Sequence, residues 1–230
     1  METWTQDGAV CHAVRFGGGP LIVLLCAKDH RAQCEQVAQQ LRSRRKSGFT
    51  LLCVEMPGRW NDAYSPWPAP EAFGNEAFGG RADKTLQLLK ARVLPEARRR
   101  FAPEGGCALA GYSLAGLFAL WALQNAPGLF YGAASCSGAL WFDGFADACL
   151  AKPMPRGCCV YLSLGAAEER TRSARMAGVG DATRRLAQRF RQDENVRKTA
   201  LVWHKGGHFA HVPERTAKGI LWLADAVRPG

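Results

Sequence analysis

The stretch CALAGYSLAGLFALWAL, residues 107–123, decides the fold. It begins as an apolar run typical of a buried strand and ends as an apolar run long enough to form a helix. The segment between them, Gly-Tyr-Ser-Leu-Ala-Gly, leaves no room for a loop. A strand that turns directly into a helix therefore carries Ser113 at the turn. The hydroxyl of Ser113 either helps to form this turn or acts as a nucleophile.

The same alternation of strand-like and helix-like runs continues on both sides of this stretch. Continuous apolar runs are typical of strands that are covered on both faces. They occur at residues 21–27, 50–56, 107–113, 131–140, 158–165 and 199–204. Amphipathic or apolar stretches between them predict helices at 30–48, 81–101, 114–125, 181–191 and 213–227. This order predicts a three-layer α/β/α fold with a mostly parallel central sheet, and the alternating run 9–16 is expected to add an antiparallel edge.

One segment interrupts the alternation. Residues 57–80, PGRWNDAYSPWPAPEAFGNEAFGG, are rich in Pro, Gly and aromatic residues and follow the strand-like run 50–56 directly. Long loops without secondary structure are uncommon in compact domains and are often functional. Ligand sites of parallel sheets gather at the carboxyl ends of the strands. We therefore expect one domain over residues 1–230, with 57–80 as a loop insertion near the functional site and no large cap.

Composition limits the class of protein. The chain has 230 residues, of which 47% are hydrophobic and 22% charged, values that are ordinary for a globular domain. The N-terminal residues lack the pattern of a signal peptide, and the apolar runs are shorter than the roughly 20 residues of a membrane helix. The nine cysteines are odd in number and form no Cys-x-x-Cys pair. We expect a soluble, cytoplasmic protein with reduced core thiols and without a metal or cofactor.

The formal net charge of +10 raises the question of nucleic-acid binding. The basic residues, however, stand in short groups at the ends or on the polar faces of the predicted helices, where charges are usually solvated. We therefore expect no nucleic-acid partner and no membrane partner. Attraction of anionic substrates remains an open alternative.

The residues around Ser113 have the properties that a nucleophile at a strand-to-helix turn requires. Gly111 would let the helix approach the strand without a Cβ clash, and Ala115 is still small. Free N–H groups at the start of the helix would point at the serine, so the amide of Leu114 is a candidate donor to an oxyanion. The second donor is expected in the loop that follows the strand 21–27, at Ala27 or Lys28.

A serine nucleophile needs a base and an acid. His208 is the expected base, because the two glycines before it would give its loop the freedom to reach the serine. Glu168 is the expected acid, since it follows the strand 158–165 and lies between the serine and the histidine in the sequence. Open alternatives are His204 and His211 for the base, and Glu169 and Asp181 for the acid.

Aromatic and amide side chains are candidates for the walls of a substrate pocket. The candidates are Trp60, Asn61 and Trp67 in the insertion, Tyr112 directly before Ser113, and Trp141 directly after the strand-like run 131–140. Aromatic packing beneath a long loop explains the tryptophans equally well.

Three motifs together resemble the α/β-hydrolase superfamily, and within it the esterase branch that includes enterochelin-esterase-like and related carboxylesterases. They are the GYSLAG turn, the segment SLGAAEERTR at 163–172 and the segment GGHF at 206–209. The resemblance extends from about residue 20 to residue 227 and implies Ser113 as nucleophile, His208 as base and Glu168 as acid. Ala115 stands where that superfamily usually has glycine.

The function expected from the residues and the resemblance is that of a serine esterase. It would cleave small or soluble esters through an acyl-enzyme, with a small-molecule ester as its partner and self-association into a homo-oligomer left open. An acyltransferase or a peptidase would use the same three residues. A noncatalytic binding protein that has kept the hydrolase fold is the alternative from another class.

Overall fold

The computed structural model of the chain describes residues 1–72 and 74–227. Phe73, in the predicted insertion, and residues 228–230 of the predicted domain lie outside the described residues. The strands are β1 Glu2–Gln6, β2 Ala9–Arg15, β3 Leu21–Cys26, β4 Thr50–Glu55, β5 Pro68–Ala69, β6 Phe78–Gly79, β7 Cys107–Tyr112, β8 Gly132–Cys136, β9 Cys158–Gly165 and β10 Val196–His204. The helices are α1 Arg31–Arg44, α2 Trp60–Tyr64, α3 Ala82–Leu88, α4 Leu94–Phe101, α5 Leu114–Asn125, α6 Phe145–Ala151, α7 Ala174–Ala177, α8 Val179–Gln192 and α9 Val212–Ala226.

Eight strands form one sheet in the order β1-β2-β4-β3-β7-β8-β9-β10. From β4 to β10 every neighbouring pair is parallel, whereas β1, β2 and β4 pair antiparallel. Parallel neighbours need crossover connections, which the helices between the strands supply. The carboxyl ends of β3, β7, β8, β9 and β10 therefore meet along one edge of the sheet.

Helices cover both faces of this sheet, and a separate apolar cluster fills each interface. Ile22 and Leu24 of β3 face α1 and α9, and belong to the cluster with Val37 and Ile220. Leu25 of β3 faces the opposite way and belongs to the cluster with residues of α5 and α8. Burial on both faces explains why these strands read as continuous apolar runs. The predicted three-layer α/β fold with a mostly parallel sheet is confirmed, and the described residues contain no large cap.

The edge of the sheet and one helix differ from the sequence prediction. The predicted antiparallel pairing of residues 9–15 is confirmed, but β1 is the edge strand and β2 the second, so the predicted edge position is wrong. The predicted helix 81–101 contains a π-helical turn at Leu89–Val93 before α4. Pro95 lies in the first turn of α4 and has no N–H to donate to the preceding turn, which favours this irregularity.

Residues 57–80 contain regular elements where the sequence predicted a loop. They include α2 and the short antiparallel pair β5–β6. The side chain of Asn61 donates to the carbonyl of Glu76 at 3.0 Å, and the hydroxyl of Ser65 accepts from the amide of Gly80 at 2.9 Å. Internal hydrogen bonds thus give the described part of this segment a defined shape at the carboxyl edge of the sheet.

All nine cysteines lie within the described residues, and each is a buried free thiol. Burial raises the pKa of Cys107 and of Cys136 to about 12, so both stay protonated at neutral pH. The sulfur atoms of Cys26, Cys34 and Cys53 lie within 4.8 Å of one another between the sheet and α1. None of the described helices is both long enough and apolar enough to cross a bilayer.

Candidate active site

Ser113 occupies the turn between β7 and α5 in a backbone conformation that is unfavourable for a side-chain-bearing residue. Its φ is 57° and its ψ is −125°. Its amide donates to the carbonyl of Cys136 at the end of β8. Strained residues of this kind persist only where their surroundings hold them, and they cluster at functional sites. The turn projects the hydroxyl of Ser113 above the carboxyl edge of the sheet.

Close contact between strand and helix explains the small residues of the GYSLAG motif. A Cβ atom at Gly111 would collide with the backbone carbonyl of Ala115, and one at Gly116 would crowd the carbonyl oxygen of Gly111 at 2.9 Å. Ala115 itself is fully buried without such a collision. The motif therefore reflects the approach of α5 to β7, which any larger residue at position 111 would prevent.

His208 lies in the loop between β10 and α9, with its ring between Ser113 and Glu168. Its Nε2 atom is 3.1 Å from Oγ of Ser113, and its Nδ1 atom is 2.7 Å from Oε2 of Glu168. The hydroxyl of Tyr112 donates to the backbone carbonyl of His208 at 2.6 Å. Because Tyr112 directly precedes Ser113, this bond ties the histidine loop to the serine turn.

Glu168 follows β9, and only 5% of its side chain is exposed. While Oε2 faces His208, Oε1 accepts hydrogen bonds from Oγ of Ser137 and from the amide of Gly165, both at 2.7 Å. Burial by itself would raise the pKa of Glu168, but the hydrogen bonds from His208, Ser137 and Gly165 outweigh it and lower the pKa. The carboxylate is therefore held ionised against the imidazole.

Arg215 completes this network, and the sequence prediction did not include it. It lies on α9 with 1% of its side chain exposed, and its Nη1 atom is 3.3 Å from Oε1 of Glu168. The same guanidinium donates to the hydroxyl of Tyr112, to that of Ser137 and to the carbonyl of Lys205. A signal was present in the sequence: position 215 falls on the buried stripe 215, 219, 223 of α9, where a charged residue needs a partner.

The alternative bases and acids lie elsewhere. His204 ends β10, and its Nε2 atom is buried without a hydrogen-bond partner. His211 precedes α9 in a left-handed conformation. Glu169 and Asp181 both pair with Arg184 on the surface. Of the candidates that the sequence offered, Glu168 and His208 are therefore the pair that the fold brings to Ser113.

The candidate oxyanion donors lie at two neighbouring points of the sheet edge. Leu114 is the first residue of α5, where amides have no partner within the helix. Ala27 follows β3 and lines the same cavity as Ser113, whereas Lys28 is not among the lining residues. The loop after β3 is held by the amide of Asp29, which donates to Oε2 of Glu55 at 2.9 Å.

A cavity of about 730 Å³ opens around the hydroxyl of Ser113. Of the five residues predicted for its walls, Trp60, Tyr112 and Trp141 line it. Asn61 and Trp67 are not among the lining residues. Asn61 bonds to the carbonyl of Glu76, and Nε1 of Trp67 donates to the carbonyl of Asp143 at 3.0 Å. Both side chains hold the segment that carries Trp60.

Comparison with known proteins places this site in a family. Residues 17–211 match the family described as "Putative esterase", and the chain belongs to this family. The expected class, a carboxylic ester hydrolase with the α/β-hydrolase fold, is thereby confirmed. A relative in Bacillus subtilis (strain 168), described as "Uncharacterized protein YbbA", is 24% identical over 187 residues, which cover 75% of this chain and 74% of that protein.

Solved structures with the same fold include two hydrolases. The siderophore hydrolase EstA from Aspergillus nidulans superimposes with a TM-score of 0.76 at 18% identity, over 96% of this chain and 91% of that chain. An IroE-like serine hydrolase from Shewanella oneidensis superimposes with a TM-score of 0.76 at 17% identity, over 94% of this chain and 75% of that chain. At these identities the likeness shows the shared fold.

Proposed function

We propose that this protein hydrolyses small-molecule carboxylic esters through an acyl-enzyme on Ser113. The observation that carries the proposal is the chain of contacts from Oγ of Ser113 to Nε2 of His208 and from Nδ1 of His208 to Oε2 of Glu168, at 3.1 and 2.7 Å. The candidate nucleophile, base and orienting carboxylate thus form a continuous chain of hydrogen-bonding contacts beside a cavity.

In the first half of the reaction, Oγ of Ser113 attacks the ester carbonyl carbon while Nε2 of His208 takes its proton. The negative charge moves onto the former carbonyl oxygen, where the amides of Leu114 and Ala27 stabilise it. The intermediate collapses, the bond to the alcohol oxygen breaks, and His208 returns the proton to that oxygen. The alcohol leaves, and the acyl group stays on Ser113.

In the second half, a water molecule takes the place of the alcohol. His208 removes a proton from the water as its oxygen attacks the acyl carbon, and then gives the proton to Oγ of Ser113 when the acid departs. Glu168 keeps Nδ1 of His208 protonated and stabilises the imidazolium in both halves. The reaction consumes one ester and one water and needs no cofactor.

The alternative functions differ from ester hydrolysis in the acyl acceptor, in the leaving group or in having no reaction at all. An acyltransferase or a peptidase would use the same three residues with another acceptor or another leaving group. The ester reaction is favoured by the family and by the similar structures, which include the enterobactin esterase FES from Shigella flexneri. A noncatalytic binding protein would have no need to keep Ser113 strained and hydrogen-bonded to an imidazole.

Hydrolysis of p-nitrophenyl esters of increasing acyl length tests the proposal. The wild-type protein should hydrolyse these esters, while Ser113→Ala and His208→Ala should each lower kcat at least about 10³-fold. Ser43→Ala, on the exposed side of α1, is the matched control and should retain wild-type rates. Hydrolysis that persists in Ser113→Ala would overturn the assignment of the nucleophile.

A further inference from the structure

We infer that the site takes an uncharged ester with a bulky apolar group on each side of the scissile carbonyl. This inference rests on the proposed ester hydrolysis at Ser113 and names the substrate class. It follows from three properties of the cavity. Its lining comes from both faces of the sheet, the described lining contains no lysine or arginine, and its volume is large relative to the reacting ester group.

The cavity lies across the carboxyl edge of the sheet, and its lining comes from both faces. We call the part of the cavity on each face an arm. Leu24 and Leu25 are consecutive residues of β3 that point to opposite faces, and both line the cavity. On the face of Leu24 the lining continues to Val212 at the start of α9, within the apolar cluster of α1 and α9. On the face of Leu25 it continues to Trp60 and Trp141, which pack against the other cluster.

Ser113 stands between the two arms. It follows β7, which pairs with β3 at the centre of the sheet, so its hydroxyl lies above the edge that separates the faces. An ester carbonyl placed at Oγ of Ser113 must send its acyl group and its alcohol group in different directions. The two arms are the directions that the cavity provides.

The side chains that line the cavity disfavour a charged substrate. Among the described residues, the lining contains neither lysine nor arginine, although the chain carries a formal charge of +10. The described lining contains one carboxylate and two imidazoles: Glu168 and His208 are bonded to each other, and Nδ1 of His30 lies 3.0 Å from Oε1 of Gln33. Arg175 lies over the ring of Trp141, but its Nε and Nη2 atoms donate to Asp143, both at 2.8 Å, and its Nη1 atom donates to the carbonyls of Pro70 and Glu71. An anionic substrate would therefore lose its hydration without gaining a cation.

The dimensions point to bulky groups. About 730 Å³ is ample for a drug-sized ligand, whereas an acetyl group would leave most of the space to water. At the mouth, Phe209 is 89% exposed, and its ring stands edge-on to His208 with the centroids 5.1 Å apart. An apolar substrate group that covers this ring removes both surfaces from water, which favours binding.

Four esters of unactivated alcohols measure the contribution of an apolar group on the acyl side and on the alcohol side separately. They are ethyl acetate, ethyl phenylacetate, 2-phenylethyl acetate and 2-phenylethyl phenylacetate, whose leaving groups have similar basicity. For wild type, each phenyl group should raise kcat/KM at least about tenfold, and the ester with two should be the best of the four. Monoethyl succinate, which is anionic, should be poorer than diethyl succinate.

Two matched variants locate the arms. Val212→Asp and Trp60→Glu each put a carboxylate at the first residue of a helix, where an acidic side chain is compatible with the helix dipole. Each should abolish the gain from one of the two phenyl groups, and the two variants should affect different groups. Gln36→Asp, on the exposed face of α1, makes the same charge change outside the cavity and should preserve both gains.

The outcomes separate the inference from the proposed function. If wild type hydrolyses ethyl acetate by a route that needs Ser113 but gains nothing from either phenyl group, the inference is overturned and the esterase assignment stands. If monoethyl succinate is preferred to its diester, the inference is overturned as well. If no ester in the set is hydrolysed and Ser113→Ala equals wild type, the proposed function itself fails.

Discussion

The guanidinium of Arg215 lies 3.3 Å from Oε1 of Glu168, the carboxylate oxygen that faces away from His208. Both side chains are buried, with 1% and 5% exposed. The same guanidinium bonds to Tyr112 beside the serine turn and to the carbonyl of Lys205 in the histidine loop. One buried cation therefore joins the three segments that carry the serine, the acid and the histidine.

We expect Arg215→Met to lower kcat much more than it changes KM, because the loop and the carboxylate that orient His208 lose a common partner. It should also lower the free energy of unfolding by about 3–5 kcal/mol, since Glu168 is left buried with one fewer partner. Steady-state kinetics and urea denaturation measure the two effects. Arg215→Lys keeps the charge and should recover part of kcat; equal kcat in wild type and Arg215→Met would contradict a positioning role.

Acid should destabilise the protein partly through Glu168. The pKa of Glu168 is lower in the folded chain than in the unfolded chain, so its ionisation adds stability above the unfolded pKa. That contribution is lost as the pH falls from the ordinary carboxyl range through the folded pKa. Glu168→Gln should therefore show a shallower fall in the free energy of unfolding over this window, measured by urea denaturation at a series of pH values.

The control for that experiment is Glu104→Gln, which removes an exposed carboxylate before β7. A parallel fall in the free energies of unfolding of Glu168→Gln and Glu104→Gln as the pH is lowered would contradict this account. In that case the ionised carboxylate of Glu168 contributes no stability to the folded chain. The hydrogen bonds from Ser137 and Gly165 would then have no energetic consequence in solution.

The strain at Ser113 should be measurable as stability. With φ at 57° and ψ at −125°, the position suits glycine better than any residue with a Cβ. Both Ser113→Gly and Ser113→Ala remove the hydroxyl, but only glycine relieves the backbone. We expect Ser113→Gly to be more stable than Ser113→Ala by about 1 kcal/mol, by thermal or urea unfolding. Equal stability of the pair would show that the turn is not strained.

The approach of α5 to β7 should tolerate no side chain at position 111. A Cβ atom there meets backbone atoms of Ala115, which cannot move without shifting the serine turn. Gly111→Ala should lower the free energy of unfolding by about 1–3 kcal/mol and reduce kcat. Gly18→Ala, where no atom lies within 4 Å of the new Cβ, is the matched control. A Gly111→Ala variant with wild-type kcat would contradict the claim that the serine turn needs glycine at position 111.

The parts of the fold that could be predicted depend on local patterns. The boundary between β7 and α5 lies where the apolar run changes its periodicity, and the predicted helix 114–125 matches α5 residue for residue. β1 was missed, because its side chains are largely exposed and its strand pairs only with β2. A weakly hydrophobic edge strand leaves little pattern to detect.

The site likewise has residues that local sequence patterns predict and residues that they do not. The spacing and the glycines around Ser113 and His208 are local signals, and the fold brings the two side chains within 3.1 Å. The positions of Asn61 and Trp67 depend on how residues 57–80 fold back. This is decided by contacts to Glu76, 15 residues after Asn61, and to Asp143, 76 residues after Trp67. Such long-range contacts leave no short motif in the sequence.

Covalent trapping of Ser113 tests the central claim most directly. The folded protein is treated with a fluorophosphonate and digested, and the modified peptide is identified by mass spectrometry. We predict one phosphonyl group per chain, on Ser113, with labelling absent in Ser113→Ala and at least about 10³-fold slower in His208→Ala. An unlabelled wild-type protein, or a label on another residue, would contradict the account.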